Sequence, residues 1–240
     1  VFDPSQSTFV GFDNYKLALS GLMVGNTNIT LYKNMFWGAL KNTLLFVGIS
    51  VPLLIIIPIF IAILIDIQPR FYKFFRVIFF LPTILSISAV GIIFKWQFDT
   101  QYGFINGILR LFGGGDIAWL NSQPYAWIAI IATTIWWTIG TNTVIIGAGL
   151  KEIDKQMYEA AEIDGASYGR IIWSVALPSI RSQIFIVVFT TIIASFNIYG
   201  QPDILTGGGP AVVGNVPLGT PGSSTVVMMV IRGLLSGVNR

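Results

Sequence analysis

The chain of 240 residues contains no cysteine and no histidine. Without cysteine there are no disulfides, no thiolate metal sites and no cysteine nucleophile. Without histidine the commonest general base and the commonest metal ligand are also gone. Charge is scarce: Asp, Glu, Lys and Arg make up 10% of the residues, against about 25% in a soluble domain. That is too little to cover a soluble surface, and it excludes an ordinary globular enzyme, a disordered chain and a nucleic-acid reader. The formal net charge of +3 rests on 14 basic and 11 acidic residues, too small an excess to signal nucleic acid. No G-x-x-x-x-G-K-[ST] occurs, so ATP is not held by a P-loop in this chain.

What is present is apolar: 54% of the residues are hydrophobic, and the composition is that of a membrane protein. A bilayer core of about 30 Å takes roughly 20 apolar residues as helix. Four stretches qualify, at about 42–65, 77–94, 125–150 and 182–201. The run Leu54-Ile55-Ile56-Ile57 would read as strand in a soluble protein, but at this length and without alternation it reads as helix in lipid. Pro52 and Pro58 each remove one backbone hydrogen bond from the first span, a gap that neighbouring helices can repair. None of the four spans holds Asp, Glu, Lys or Arg. An intramembrane charge costs at least about 2.5–3.5 kcal/mol and marks ion or proton relays. Its absence disfavours a proton-coupled carrier, while a Na⁺ site built from carbonyls would escape this test. An intramembrane protease would need a Ser–His pair, paired aspartates or a metal site, and none is visible.

Segment 66–76 carries Arg70, Lys73 and Arg76, and segment 151–181 carries Lys151, Lys155, Arg170 and Arg181. Segments 96–124 and 202–223 carry only Arg110 between them. The positive-inside rule puts the first two in the cytoplasm and the outer loops at 1–41, 96–124 and 202–240. Trp37, Trp96, Trp119 and Trp127 lie near span ends, where an aromatic belt would place them. A span is expected before Val1 and another beyond Arg240, with Ser224 to Leu235 as an interfacial helix. The whole is expected to be a single transmembrane domain.

The segment 151–181 carries the strongest local signal. Asp154 suits the N-cap of a short helix from Lys155, and Gly165 suits the C′ position that ends it. Ser167 can cap a second short helix toward Trp173, and Pro178 suits the first turn of the fourth span. On the first helix Met157, Ala160, Ala161 and Asp164 share one face. The two alanines permit close approach, and Glu159 and Glu162 add negative charge beside them. The shape fits a groove on a soluble partner, although local physics alone favours an amphipathic loop helix with no partner, because alanine-rich helices are common.

Glu159-Ala160-Ala161, Asp164-Gly165-Ala166 and Leu177-Pro178 match the EAA motif, and here the chain resembles the ABC importer permeases of the maltose/glycerol-phosphate type. Val10-Gly11-Phe12-Asp13-Asn14-Tyr15, Arg76 with Leu81-Pro82-Thr83, Gly103-Phe104-Ile105-Asn106 with Leu109, and Leu205-Thr206-Gly207-Gly208-Gly209-Pro210 follow the family's order. The resemblance covers nearly the whole chain. It departs at Ser179-Ile180-Arg181-Ser182, where the family often has a further proline.

The resemblance implies an all-α, polytopic transmembrane bundle of the type I ABC importer kind, with the family's first and last spans outside the sequence. It implies a non-catalytic subunit of a multi-pass bacterial or archaeal inner-membrane importer. Met157, Glu159, Ala160, Ala161, Asp164 and Gly165 would form the coupling helix, seated on a dimer of cytoplasmic ATPase subunits. ATP and Mg would bind there, with no cofactor or metal in this chain. The further partners implied are a second, related permease, an extracytoplasmic solute-binding protein, membrane lipid and a sugar. The Gly207 to Pro210 turn would face the binding protein.

A sugar needs hydrogen-bonding groups and an aromatic face in a mostly apolar pocket. The third span offers Trp136, Trp137, Thr138, Thr141 and Asn142; the fourth offers Thr190, Thr191, Ser195, Asn197, Tyr199 and Gln201. In this family the helices flanking the EAA loop line the path. The candidates for it are Trp137, Thr138, Thr141, Asn142, Thr191, Ser195, Asn197 and Tyr199. Serine and threonine in membrane helices also bond their own backbone or a neighbouring helix, and that alternative stands for each of them. Asn142 and Asn197 carry the most weight, because a side-chain amide is costly to leave unpaired in lipid. The competing function is an ATP-independent channel or an ion-coupled secondary transporter.

Overall fold

The computed structural model describes residues 11–12, 27–67, 69–209, 225, 227 and 228, with side chains from residue 38 onward within the first helix. Every regular element among them is helical. In chain order these are α1 (Thr27–Asp66), α2 (Tyr72–Phe80), a 3₁₀ turn (Leu81–Ile84), α3 (Ile87–Gln97), α4 (Phe104–Leu111) and α5 (Tyr125–Glu152). There follow α6 (Lys155–Ile163), α7 (Tyr168–Ile171), a π turn (Ile172–Ala176), α8 (Leu177–Ser179), α9 (Arg181–Phe196) and α10 (Gly200–Thr206). Gly38–Asp66 and Tyr125–Glu152 are each long and apolar enough to cross a membrane. The number rises to four if the pairs Tyr72–Ile84 with Ile87–Gln97, and Tyr168–Ser179 with Arg181–Phe196, each count as one broken span.

Two apolar stretches that read as continuous in the sequence are interrupted. The stretch 77–94 breaks between the 3₁₀ turn and α3. Pro82 has no N–H for the carbonyl four residues back, and the chain becomes extended at Leu85, with ψ 142°. The stretch 182–201 ends as helix at Phe196, and α10 begins at Gly200 with Pro202 in its first turn, where proline is tolerated. The expected interfacial helix from Ser224 lies almost wholly outside the described residues, as does the motif at Val10 to Tyr15 apart from Gly11 and Phe12.

The chain divides into two compact units, the first of residues 1–46, 87–131 and 196–240, the second of 47–86 and 132–195. In the first, α3 packs on α10, with Gly91 leaving room for Ile204 and Gly200 for Ile87. A row of rings runs Phe94, Phe98, Trp119, Tyr125. Asn106 ties the segment together: its amide donates to the Thr100 and Ile117 carbonyls at 2.9 Å each, and its oxygen accepts from Trp119 Nε1 at 2.8 Å. Trp119 and the buried Trp127, which stacks near Phe46, thus serve internal packing and not an aromatic belt.

In the second unit the core is Ala62, Ile146, Leu150, Ala176, Ile180 and Val187, drawn from α1, α5, the π turn, the bend between α8 and α9, and α9. Ile153, Tyr158 and Leu177 pack against it. Helix α2 crosses α5 backbone to backbone: a Cβ on Gly140 would run into the Phe79 carbonyl oxygen and the Phe80 Cα. Close approach through small residues is how membrane helices gain packing energy. Gly140→Ala is therefore expected to destabilise the protein by about 1–3 kcal/mol, the range for forced overpacking. A thermal denaturation midpoint in detergent equal to wild type would contradict this crossing.

Candidate functional site

Helix α6 forms where the sequence signals it. The Asp154 carboxylate caps it by accepting from the Gln156 N–H at 3.0 Å. Gly165 ends it at φ +74°, a left-handed conformation that favours glycine. The Gly165 N–H donates to the Glu162 carbonyl and the Ala166 N–H to the Ala161 carbonyl, each at 3.0 Å. That pair of bonds is a Schellman motif and satisfies two of the carbonyls a helix end leaves open. Ser167 holds the N-cap position of α7 by its extended backbone, without a side-chain bond.

No residue of α6 is buried. Met157, Glu159, Ala160 and Asp164 are exposed, and Ala161 is half-buried. Ile163 is 87% exposed, and Glu159 has no ion-pair or hydrogen-bond partner among the described residues. Tyr158, on the same helix, turns the other way. Its ring packs on the core of the second unit. Its hydroxyl is buried without a hydrogen-bond partner among the described residues. Burial first, then the negative charge of Asp66, then Tyr168 hold its phenol above the ordinary range. Helix α6 thus shows one face to solvent and is fastened to the spans through Tyr158. Sequence reading passed over Tyr158, although an aromatic ring beside the EAA alanines is the group able to anchor so short a helix. Downstream, Tyr168–Ser179 and Arg181–Phe196 meet at 70°. Pro178 lies in α8 just before that bend, not in the first turn of α9.

The polar residues of the spans fall into two groups. Asn142 (8% exposed) and Thr191 (6%) come together: Asn142 Nδ2 lies 3.2 Å from Thr191 Oγ1 and donates to the Leu54 carbonyl at 2.8 Å. The cause lies in α1. Pro58 has no N–H, so the carbonyl four residues earlier, Leu54, has no helical donor. Asn142 supplies one from α5. Ser50, one turn before Leu54, is fully buried and its hydroxyl has no partner among the described residues. Trp137 Nε1 likewise donates to the Leu85 carbonyl at 3.0 Å, where the chain is extended. Thr138 bonds the Thr134 carbonyl of its own helix at 2.7 Å. Thr141 is exposed and Ser195 is buried. Asn197 and Tyr199 lie past the end of α9, in the first unit. Neither Leu54 nor Leu85 could be singled out from side-chain chemistry; for Leu54 the signal was Pro58.

Asn142→Leu is expected to cost about 0.6–1.7 kcal/mol, the range for hydrogen bonds between membrane helices, read as a lower denaturation midpoint. A variant of wild-type stability would show that the Leu54 bond contributes nothing.

Residues 18–230 match the family model described as "Binding-protein-dependent transport system inner membrane component". The chain is 31% identical over 202 residues to the sulfoquinovosyl glycerol transport system permease protein SmoG of Agrobacterium fabrum, covering 84% of this chain and 62% of SmoG. It is 31% identical to the osmoprotective compounds uptake permease protein GgtC of Synechocystis, covering 86% of this chain and 72% of GgtC. It is 33% identical to the lactose transport system permease protein LacF of Rhizobium radiobacter, covering 74% of this chain and 61% of LacF. The chain thus spans less than two thirds of the length of SmoG and LacF. A crystal structure of a bacterial ABC transporter involved in the import of the acidic polysaccharide alginate matches with a TM-score of 0.76 at 22% identity, over 96% of this chain and 80% of that one.

Proposed function

Because this chain belongs to the family of binding-protein-dependent transport system inner membrane components, we propose that it is the permease subunit of an ATP-driven sugar importer. It supplies half of the translocation path and couples by alternating access to ATPase subunits on separate chains. A second, related permease supplies the other half, and an extracytoplasmic solute-binding protein delivers the sugar to the outer face. Several relatives move glycosides or sugars by name, SmoG and LacF among them, which supports a carbohydrate as the solute.

The observation that carries the reading is helix α6. It is capped at both ends, exposed along its EAA face, and fastened to the spans by Tyr158. A helix so held can pass a displacement of its docked face to the spans as a rigid body. Closure of two ATPases around ATP would push on Met157, Glu159, Ala160, Ala161, Asp164 and Gly165, and the core at Ala62, Ile146 and Ile180 would carry the push into α1, α5 and α9. The path residues named from the sequence then divide by role. Asn142, Thr191 and Trp137 brace helices whose backbone is interrupted, while Thr141, Asn197 and Tyr199 remain the groups offered to solute, with Ser195 buried and Thr138 bonded within its own helix. No bound cofactor is needed in this chain; ATP and Mg act on the partner ATPase.

Reconstitution of the full transporter in liposomes tests the reading. Uptake of a radiolabelled oligosaccharide is expected to require internal ATP and external binding protein together. Uptake that continues without ATP would favour a channel or secondary carrier instead.

A further inference from the structure

In the second unit the ends of α1 and α5 and the helix α2 enclose a cleft whose polar lining includes Arg76, Tyr72, Asp66 and Lys151, with Thr143. An apolar groove of about 280 Å³ continues from it, walled by Val77, Phe80, Leu81, Ile84 and Val144. Arg76, Phe80 and Val144 line both, so the two are one continuous feature, polar at one end and apolar along its length. Asp66 and Lys151, of opposite charge, line the same cleft. Arg76 is exposed and has no ion-pair or hydrogen-bond partner among the described residues. The charged groups of the lining, two basic and one acidic, leave it formally positive, and the Tyr72 phenol belongs to the same lining. Val77, Leu81 and Ile84 are all exposed in the groove. Phe71, Phe74 and Phe75 are exposed nearby, and Arg70 lies over the Phe71 ring at 5.8 Å, an amphipathic arrangement suited to a membrane interface.

We infer that this feature binds an anionic glycerophospholipid of the cytoplasmic leaflet. The phosphate sits at Arg76 and the Tyr72 hydroxyl, and one acyl chain lies along Val77, Leu81 and Ile84. Three arguments converge. The basic residues of 66–76 place this end of the spans on the cytoplasmic side. That leaflet surface is negative, and basic pockets between helices there suit anionic head groups. The groove leads from the charge into apolar surface, as the amphiphile requires, whereas a protein partner would not need a charge at one end of an apolar channel.

The test is native mass spectrometry of the assembled transporter in mild detergent with phosphatidylglycerol or phosphatidylcholine added. The wild type is expected to retain phosphatidylglycerol in preference. Arg76→Gln should weaken that retention about fivefold, the worth of one basic residue at a membrane surface. Lys73→Gln, an exposed neighbour outside the cleft, should leave it unchanged. Because the chain has no cysteine, Ile84→Cys provides a second readout, and added phosphatidylglycerol is expected to slow its labelling by a lipid-soluble maleimide in the complex more than phosphatidylcholine does. Equal retention of the two lipids, equal loss in Arg76→Gln and Lys73→Gln, no loss in Arg76→Gln, or protection of Ile84→Cys by a neighbouring chain would each overturn the proposal.

Discussion

Replacing Glu159 with lysine is expected to lower recovery of the ATPase subunits with this chain about thirtyfold, with a matching fall in uptake, while insertion and expression stay normal. Glu159 is exposed on a helix with no buried residue and has no partner among the described residues, so the change breaks no contact seen among them. Its effect must arise where α6 meets another chain. Truncating one side of a buried charge pair at an interface costs about 2–5 kcal/mol, and reversal adds repulsion, so a thirtyfold loss is the low end. Affinity capture of the ATPase from detergent extracts measures it. Equal recovery with mutant and wild type would remove Glu159 from the docking surface.

The second large effect is expected from Tyr158→Ala, and its signature is different. The ring joins α6 to the core of the second unit. Removing a fully buried aromatic ring costs about 3–5 kcal/mol, and for this half-buried one roughly half of that follows. The exposed face of α6 is untouched, so the ATPase should still bind. The helix would then move without carrying the spans, and ATP hydrolysis should continue at near-normal rate while uptake falls about tenfold or more, as expected for a loosened anchor worth about 1.4 kcal/mol or more. Tyr158→Phe separates packing from polarity. The hydroxyl is buried without a hydrogen-bond partner among the described residues, and such a group is costly to keep, so the phenylalanine variant should match or exceed wild-type stability and transport. Coupled transport in Tyr158→Ala would show that the anchor lies elsewhere.

The part of this architecture that could be read from the sequence is the part written in local chemistry. The apolar stretches gave the spans at 42–65 and 125–150, which lie within α1 and α5. Asp154 and Gly165 gave both ends of α6, because caps depend on one side chain and one backbone conformation. The interruptions at Leu85 and Phe196 were less legible, since an apolar run has the same composition whether or not a helix passes unbroken through it. Pro82 was the available sign. The pairing of Asn142 with the Leu54 carbonyl depends on which helices meet, and no single-sequence pattern specifies that. Even so, a proline in a membrane span marks an open carbonyl four residues back, and a buried amide elsewhere is a natural donor for it. Trp119 and Trp127 were legible as aromatic but not as internal, because a belt residue and a core residue have the same chemistry and differ only in what surrounds them.

The proposed function rests on helix α6, through which the chain would draw its energy from docked ATPase subunits while forming its path with a second permease. The measurement that tests this most directly is the intact mass of the complex, purified in mild detergent through a tag on the full-length protein. Two ATPase copies and one further permease per copy of this chain are predicted. A lone chain or homo-oligomer that still transports in liposomes without ATP would contradict it.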